Sequence, residues 1–192
     1  MKLKNAAISF DNLCKKKYKL IVAKKRKEYN IDLLFKRNQF YHLIGIQHLK
    51  DINLDYKDKN KFFKDVINNK INMETLSGSS FFVDSRIEDR IEIIQDLEKY
   101  LDSDDLKFRK YIPDYSFSKI DADYILIKIN DSTYCNIFAK EEKILNFYCL
   151  NSCNKNNNFI QHSYPLAVIY KKKINLKTKD AIVFIDNRRV FK

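Results

Sequence analysis

Three histidines, His42, His48 and His162, are the side chains of this sequence best suited to move a proton near neutral pH. His42 sits in Phe40-Tyr41-His42-Leu43-Ile44-Gly45-Ile46, where it either bonds to local backbone or acts as an acid–base group. His48, between Gln47 and Leu49, reads as an exposed bystander. His162 opens a predicted strand that ends in Tyr170-Lys171-Lys172-Lys173, a place equally open to a phosphate site and to plain solvent exposure. Lys128 and Lys171 fall within or at the end of predicted strands and can face a phosphate, although alternating strands also send lysine into solvent. Arg188-Arg189 can clamp phosphate or keep a sheet edge soluble. Tyr134, Tyr148 and Tyr164 can stack on bases or simply pack in the sheet. Such groups suit a route to RNA cleavage that needs no metal. The 2′-hydroxyl attacks the adjacent phosphate while the protein supplies a base, an acid and positive charge.

Other chemistries lack their signatures. The sequence has no Gly-rich phosphate loop, no GxSxG elbow and no HExxH, which argues against a nucleotide-driven motor or a zinc hydrolase. Its carboxylates gather at the spacing of a solvated helix face, not as the convergent set of a two-metal nuclease. Of Cys14, Cys135, Cys149 and Cys153 only the last two are close, and no second pair or suitably spaced histidine accompanies them. Reduced thiols are expected, with no metal and no cofactor.

The formal charge of +12 favours RNA, DNA or another anionic partner through counterion release. The charge is segregated: residues 1–50 hold 13 Lys and Arg against 3 acids, residues 155–192 hold 9 against 2, and residues 84–105 hold 3 against 9. An acidic protein is the competing partner. No apolar run approaches the roughly 20 residues of a membrane span, and the N-terminus lacks the apolar centre of a signal peptide, so a cytoplasmic protein is expected.

One α+β domain over 1–192 should position these groups. Residues 6–14 suit a short amphipathic helix, and residues 18–23 and 29–35 read as strands joined in a hairpin by the basic turn Lys24-Lys25-Arg26-Lys27. Residues 40–46 form a compact apolar turn in which Gly45 allows a special backbone conformation or a close approach. Helices are expected over 58–69, capped by Asp58, and over 86–101, with Ser85 and Glu88 as a capping box and the acids on its outer face. A short helical turn fits within 72–80. The division is 1–37 for the basic helix and hairpin, 38–105 mainly helical, and 106–192 for the sheet. Antiparallel strands are expected over 107–111, 124–129, 133–139, 144–150, 166–170 and 181–185, with turns at 130–132 and 140–143 and a flexible Asn-rich loop over 151–158.

Phe40-Tyr41-His42-Leu43-Ile44-Gly45-Ile46, preceded by Phe35-Lys36-Arg37, resembles the HLxG signature of the phage-associated branch of the barnase/EndoU/colicin/RelE (BECR) nuclease superfamily. The stretches Asn136-Ile137-Phe138-Ala139-Lys140, Phe147-Tyr148-Cys149-Leu150-Asn151-Ser152, Phe159-Ile160-Gln161, Val168-Ile169-Tyr170 and Lys173-Ile174 extend the likeness over about residues 28–175. Cys153 departs from it, standing where a bulky apolar residue is expected. The resemblance implies helices packed on an antiparallel sheet, RNA (often tRNA) as substrate, no metal, and a toxin or effector carried by phages or mobile elements. It directs attention to His42, Ser152, Gln161 and Lys171, with Lys128 in addition.

The leading expectation is therefore an RNA-cleaving effector. His42 or His162 handles protons, Lys128 and Lys171 stabilise phosphate charge, and Ser152 and Gln161 position the substrate. Lys24, Lys25, Arg26, Lys27, Lys172, Lys173, Arg188 and Arg189 would bind the RNA, and an antidote or target protein would be a second partner. The rival is a non-catalytic inhibitor from a mobile element that occupies the nucleic-acid channel of another enzyme, such as a host defence nuclease. A ribosome- or chromosome-associated structural protein comes third.

Overall fold

A computed structural model of the chain describes residues 1–54, 56–112, 120–130, 132–155 and 158–189. The first helix, α1 (Lys2–Leu13), starts earlier than expected because Leu3, Ala6, Ala7, Phe10 and Leu13 make one buried stripe at helical spacing. β1 (Lys16–Lys24) and β2 (Lys27–Leu34) form the basic hairpin, which turns at Lys25 with a left-handed φ of 56°. A 3-10 turn at Arg37–Gln39, the single-turn α2 (Phe40–Leu43) and a second 3-10 turn at Ile46–His48 follow, with Gly45 between the last two at φ 84°. α3 (Lys59–Ile67) is capped by the Asp58 side chain, and α4 (Met73–Ser77) by that of Asn72.

The acidic helix differs from the expectation in two ways. It is two helices, α5 (Ile87–Gln95) and α6 (Leu97–Asp102), that meet at Asp96, a weak helix former whose ψ of 3° interrupts the ladder. The buried stripe nevertheless continues across the break through Ile87, Ile91, Ile94, Leu97 and Leu101. The Ser85–Glu88 capping box does not form: Arg86 takes the N-cap in the left-handed region, φ 51°, which leaves Ser85 one residue outside the cap.

The remaining strands are β3 (Lys107–Tyr111), β4 (Tyr124–Asn130), β5 (Thr133–Glu142), β6 (Phe147–Lys155), β7 (Ser163–Asn175) and β8 (Ala181–Asp186). β5 runs on to Glu142, through most of the expected turn at 140–143, and the chain reverses later, around Asn146 at φ 51°. Residues 151–155 are strand, not flexible loop, because residues 152–155 pair with β5 from Phe138 back to Cys135 and bury Cys153. Residues 156–157 of that loop and Asp131 of the 130–132 turn lie outside the described residues.

The strand order is β1-β2-β6-β5-β4-β3-β7-β8, and β1 also pairs with β7, so seven strands close into a ring with β8 added to β7. Among the described residues the one parallel contact is β2 with β6. Tyr18, Leu20, Val22, Ile31, Leu33, Leu126, Ile137 and Leu150 join the helices in the main core. A smaller cluster on the opposite face of the sheet joins Tyr111, Ala122, Ile125, Ile127 and Phe138. The acids of α5 and α6 pair with strand lysines: Glu98 with Lys16 and Lys173, Asp102 with Lys173 at 2.5 Å, and Asp89 and Glu92 with Lys155 at 3.1 and 2.7 Å. Part of the charge segregation in the sequence is thereby internal neutralisation.

Candidate active site

β2 and β6 touch over two residue pairs, Leu33 with Tyr148 and Leu34 with Cys149. Beyond Leu34 the chain leaves the sheet through Arg37–Gln39 into α2, while β6 runs on to Lys155. The wedge between them is a cleft of about 500 Å³, with Lys36, Gln39, His42 and Gln47 on one side and Lys140, Glu142, Cys149 and Asn151 on the other.

Local packing explains why His42 enters this cleft. α2 is one turn long and buries Phe40, Tyr41 and Leu43, which leaves His42 as its exposed position. The imidazole meets the Tyr41 ring edge-on at 5.3 Å between centroids. Partial burial, and then the nearby Lys59 ammonium, hold its pKa below the ordinary histidine value of 6.5, so it is neutral at pH 7 and able to accept a proton. Gln47 ties the turn together by donating from Nε2 to the His42 carbonyl at 3.4 Å.

The opposite wall depends on a β-bulge. Phe138 pairs with Ser152 and Ala139 with Leu150, so Asn151 is the extra residue on β6. Its Nδ2 donates to the Asp121 carbonyl at 2.5 Å, and its buried Oδ1 has no hydrogen-bond partner among the described residues. The bulge also shifts the alternation of side chains along β6. Cys149 borders the cleft, whereas Cys153 turns into the core and donates to the Leu43 carbonyl at 3.4 Å. Burial raises the Cys149 thiol above its ordinary range, so at neutral pH it is a weak donor and a poor nucleophile. Lys36 lies 4.6 Å from the Phe147 ring and Lys140 pairs with Asp121. The cleft thus combines one imidazole, two ammonium groups, the four side-chain amides of Asn38, Gln39, Gln47 and Asn151, and the carboxylates of Glu141 and Glu142, a set with groups able to take a proton and to hold an anionic oxygen.

The family model of phage-Barnase-EndoU-ColicinE5/D-RelE like nuclease 4 matches residues 2–188. The chain belongs to this family. No curated protein and no solved structure matches it. α1 and the start of the basic hairpin, outside the 28–175 span of the sequence resemblance, fall inside the family match. The chain is thus a member of a phage-associated nuclease family, with nucleic acid as its class of substrate. Among the described residues no helix is long and apolar enough to cross a membrane, and no group of three or more His, Cys, Asp or Glu is arranged to hold a metal ion.

Within this nuclease fold the residues singled out from sequence do not converge on one place. His42 lines the cleft, and Ser152 follows Asn151 on β6, opposite Phe138. Gln161 and His162 lie between a 3-10 turn (Asn158–Ile160) and β7. That loop is held by Arg109, which donates to the Ile160 and Ser163 carbonyls at 3.2 and 2.8 Å, and by the His162 carbonyl, which accepts from Ile112 N at 2.8 Å. Lys128 and Lys171 converge elsewhere, on the end of α6. Lys128 bonds Asp105 and Ser103, and Lys171, only 2% exposed, donates to the Ser103 carbonyl at 2.6 Å and the Asp102 carbonyl at 3.3 Å. Burial lowers the Lys171 pKa, and the carbonyls at a helix C-terminus suit its charge.

Of the expected RNA-binding cations, Lys25, Arg26 and Arg189 are exposed, Lys24 stacks 3.4 Å from the Tyr164 ring, and Lys27 lies 5.2 Å from Tyr29. Lys172 is opposite Lys19 across the ladder, Lys173 is engaged by Glu98 and Asp102, and Arg188 by Asp186. Sequence reasoning did not single out Lys36, Gln39, Lys140 or Asn151 as site residues. Lys36, Lys140 and Asn151 stand within the stretches that carry the family resemblance, which was the available signal.

Proposed function

We propose that this nuclease cuts RNA by a metal-independent transesterification in the His42 cleft, with tRNA as the first substrate to test, as a toxin or effector of a phage or mobile element. The observation that carries the reading is the His42 imidazole set in a cleft with Lys140 and Asn151 on the facing wall and Lys36 beside it. His42 takes the proton of the 2′-hydroxyl as its oxygen attacks the adjacent phosphorus. Lys36, Lys140 and the amides of Gln39 and Asn151 stabilise the charge that builds on the phosphate oxygens. The departing 5′-oxygen takes its proton from one of the two ammonium groups, and the products are a 2′,3′-cyclic phosphate and a 5′-hydroxyl. Lys128 and Lys171 have a structural role in this reading, since the α6 terminus already holds both.

The test uses one oligonucleotide sequence made as RNA, as DNA and as 2′-O-methyl RNA. Cleavage of the RNA alone, lost in His42→Ala and reduced at least tenfold in Lys140→Ala, supports the reading. Cleavage of the DNA, or a fully active His42→Ala protein, refutes it.

A further inference from the structure

Behind the α2 turn lies a second cleft, of about 420 Å³, lined by His48, Asp84, Ser85, Arg86, Arg90, Asn154 and Phe159. Gln47 separates it from the first: this side chain lines the His42 cleft and lies with its Nε2 3.3 Å from Nε2 of His48. The second cleft sets two guanidinium groups and an imidazole against one carboxylate. Neither Arg86 nor Arg90 is in an ion pair with a described acid; backbone carbonyls orient both. Arg86 donates to the Lys155 carbonyl at 2.7 Å, and Arg90 to the Ser85 and Leu43 carbonyls at 3.3 and 3.4 Å. A guanidinium carries five N–H donors in a rigid fork, so these bonds fix its plane and leave donors for an anion.

Arg90 is seated by the turn that carries His42. A Cβ on Gly45 would stand 3.1 Å from Arg90 Cδ and 3.2 Å from its Nε, so the bare backbone of Gly45 is what lets the arginine stem lie against the turn. The α2 turn therefore presents His42 to one cleft and supports Arg90 at the other. On the far wall Phe159 packs edge-on against Phe138 at 4.9 Å between centroids, which holds an aromatic ring at the border of the cationic cleft.

We infer that this second cleft is a subsite for a neighbouring phosphodiester of the same single-stranded RNA, with Arg86, Arg90 and His48 on the phosphate and Phe159 beside the base. The strand crosses Gln47 between the two clefts. Two anchored phosphates, one on each side of the turn, fix the scissile bond relative to His42 better than the catalytic cleft alone. The inference deepens the ribonuclease reading and rests on it for the identity of the strand.

The test separates binding from cleavage by using 2′-O-methyl RNA, which has no free 2′-hydroxyl to attack. Its affinity is measured across salt concentrations for wild type, Arg86→Ala, His48→Ala and Lys177→Ala, the last removing a charge from the distant β7–β8 turn. The His48 imidazole is followed by NMR, because a phosphate beside it favours its protonated form. The expected results are a loss of affinity of about tenfold in Arg86→Ala, and a salt slope shallower by about 0.7. The His48 pKa should rise on RNA binding in wild type and rise less in Arg86→Ala. Affinities equal to that of Lys177→Ala, or a His48 pKa indifferent to RNA, overturn the subsite. Orthophosphate that gives the same shift at the same concentration assigns the cleft to a free anion and also overturns it. If the oligonucleotide binds as described while unmodified RNA stays intact, the subsite stands and the catalytic reading fails.

Discussion

Replacing Gly45 by alanine tests the architecture of the α2 turn. Gly45 sits at φ 84°, in the left-handed region, where a β-carbon costs about 1–2 kcal/mol. The added carbon would also stand 3.1 to 3.3 Å from Arg90 Cδ and Nε and from Ile87 Cδ1. Ile87 is fully buried, and crowding of this kind in a packed region typically adds about 1–3 kcal/mol. The sum is about 3 kcal/mol, and for a chain of this size it lowers the melting temperature by roughly 6–12 °C. Gly78→Ala is the matched control. Gly78 has right-handed helical geometry, φ −65° and ψ −14°, and its new carbon would meet its nearest neighbours at 3.6 and 3.8 Å. That substitution should be neutral or stabilise by about 0.5 kcal/mol. Thermal and urea unfolding of both variants give the comparison. A Gly45→Ala protein that melts within 2 °C of wild type, or a Gly78→Ala protein that loses as much, would refute the reasoning.

Other outcomes follow from the same geometry. If His42 is the base, the acid limb of kcat/KM lies below pH 6.5, and Lys59→Gln moves it up by removing a repelling charge; a limb above 6.5 or unmoved in the variant contradicts the assignment. Lys171→Met keeps the buried stem but leaves the Asp102 and Ser103 carbonyls without their donor, at a cost of about 1–3 kcal/mol in urea unfolding. A cost below 0.5 kcal/mol, on the order of a neutral surface change, would show that those bonds contribute little. Burial pulls the Glu98 carboxyl up, but bonds from Lys16 and Lys173 outweigh it and hold its pKa below 4.5. The stability it provides is present above pH 4.5 and is lost as pH falls through the lower folded value. Glu98→Gln should therefore flatten stability against pH in the acid range, and an unchanged acid limb would exclude this linkage.

Elements whose signal is local were legible in the sequence. Asp58 caps α3 and Asn72 begins α4 because one side chain and one backbone N–H decide each start. β4 and β8 were found to within a residue from apolar runs. The Ser85–Glu88 box failed because its geometry depends on the conformation of Arg86, which the fold sets to the left-handed region. Residues 151–155 look like a loop because Asn, Ser and Lys are weak strand formers, yet a partner strand and the burial of Cys153 override that preference.

The cleft was legible only at His42. Its facing wall arises where a parallel pairing with a strand more than 100 residues away in the chain ends after two residues, and where a bulge against the neighbouring β5 turns Asn151 out of register; neither leaves a mark in the local residue pattern. Lys128 and Lys171 look like phosphate ligands in the sequence because their counter-ions and carbonyls lie on α6 and the turn after it, which pattern alone cannot bring beside β4 and β7.

The central claim is that His42 and its cleft cut RNA without a metal. Its most direct test incubates wild-type and His42→Ala protein with total cellular RNA in EDTA and maps the new ends. Discrete fragments ending in 2′,3′-cyclic phosphate, from wild type alone, are the predicted result. Intact RNA from both proteins, or the same fragments from His42→Ala, would contradict it.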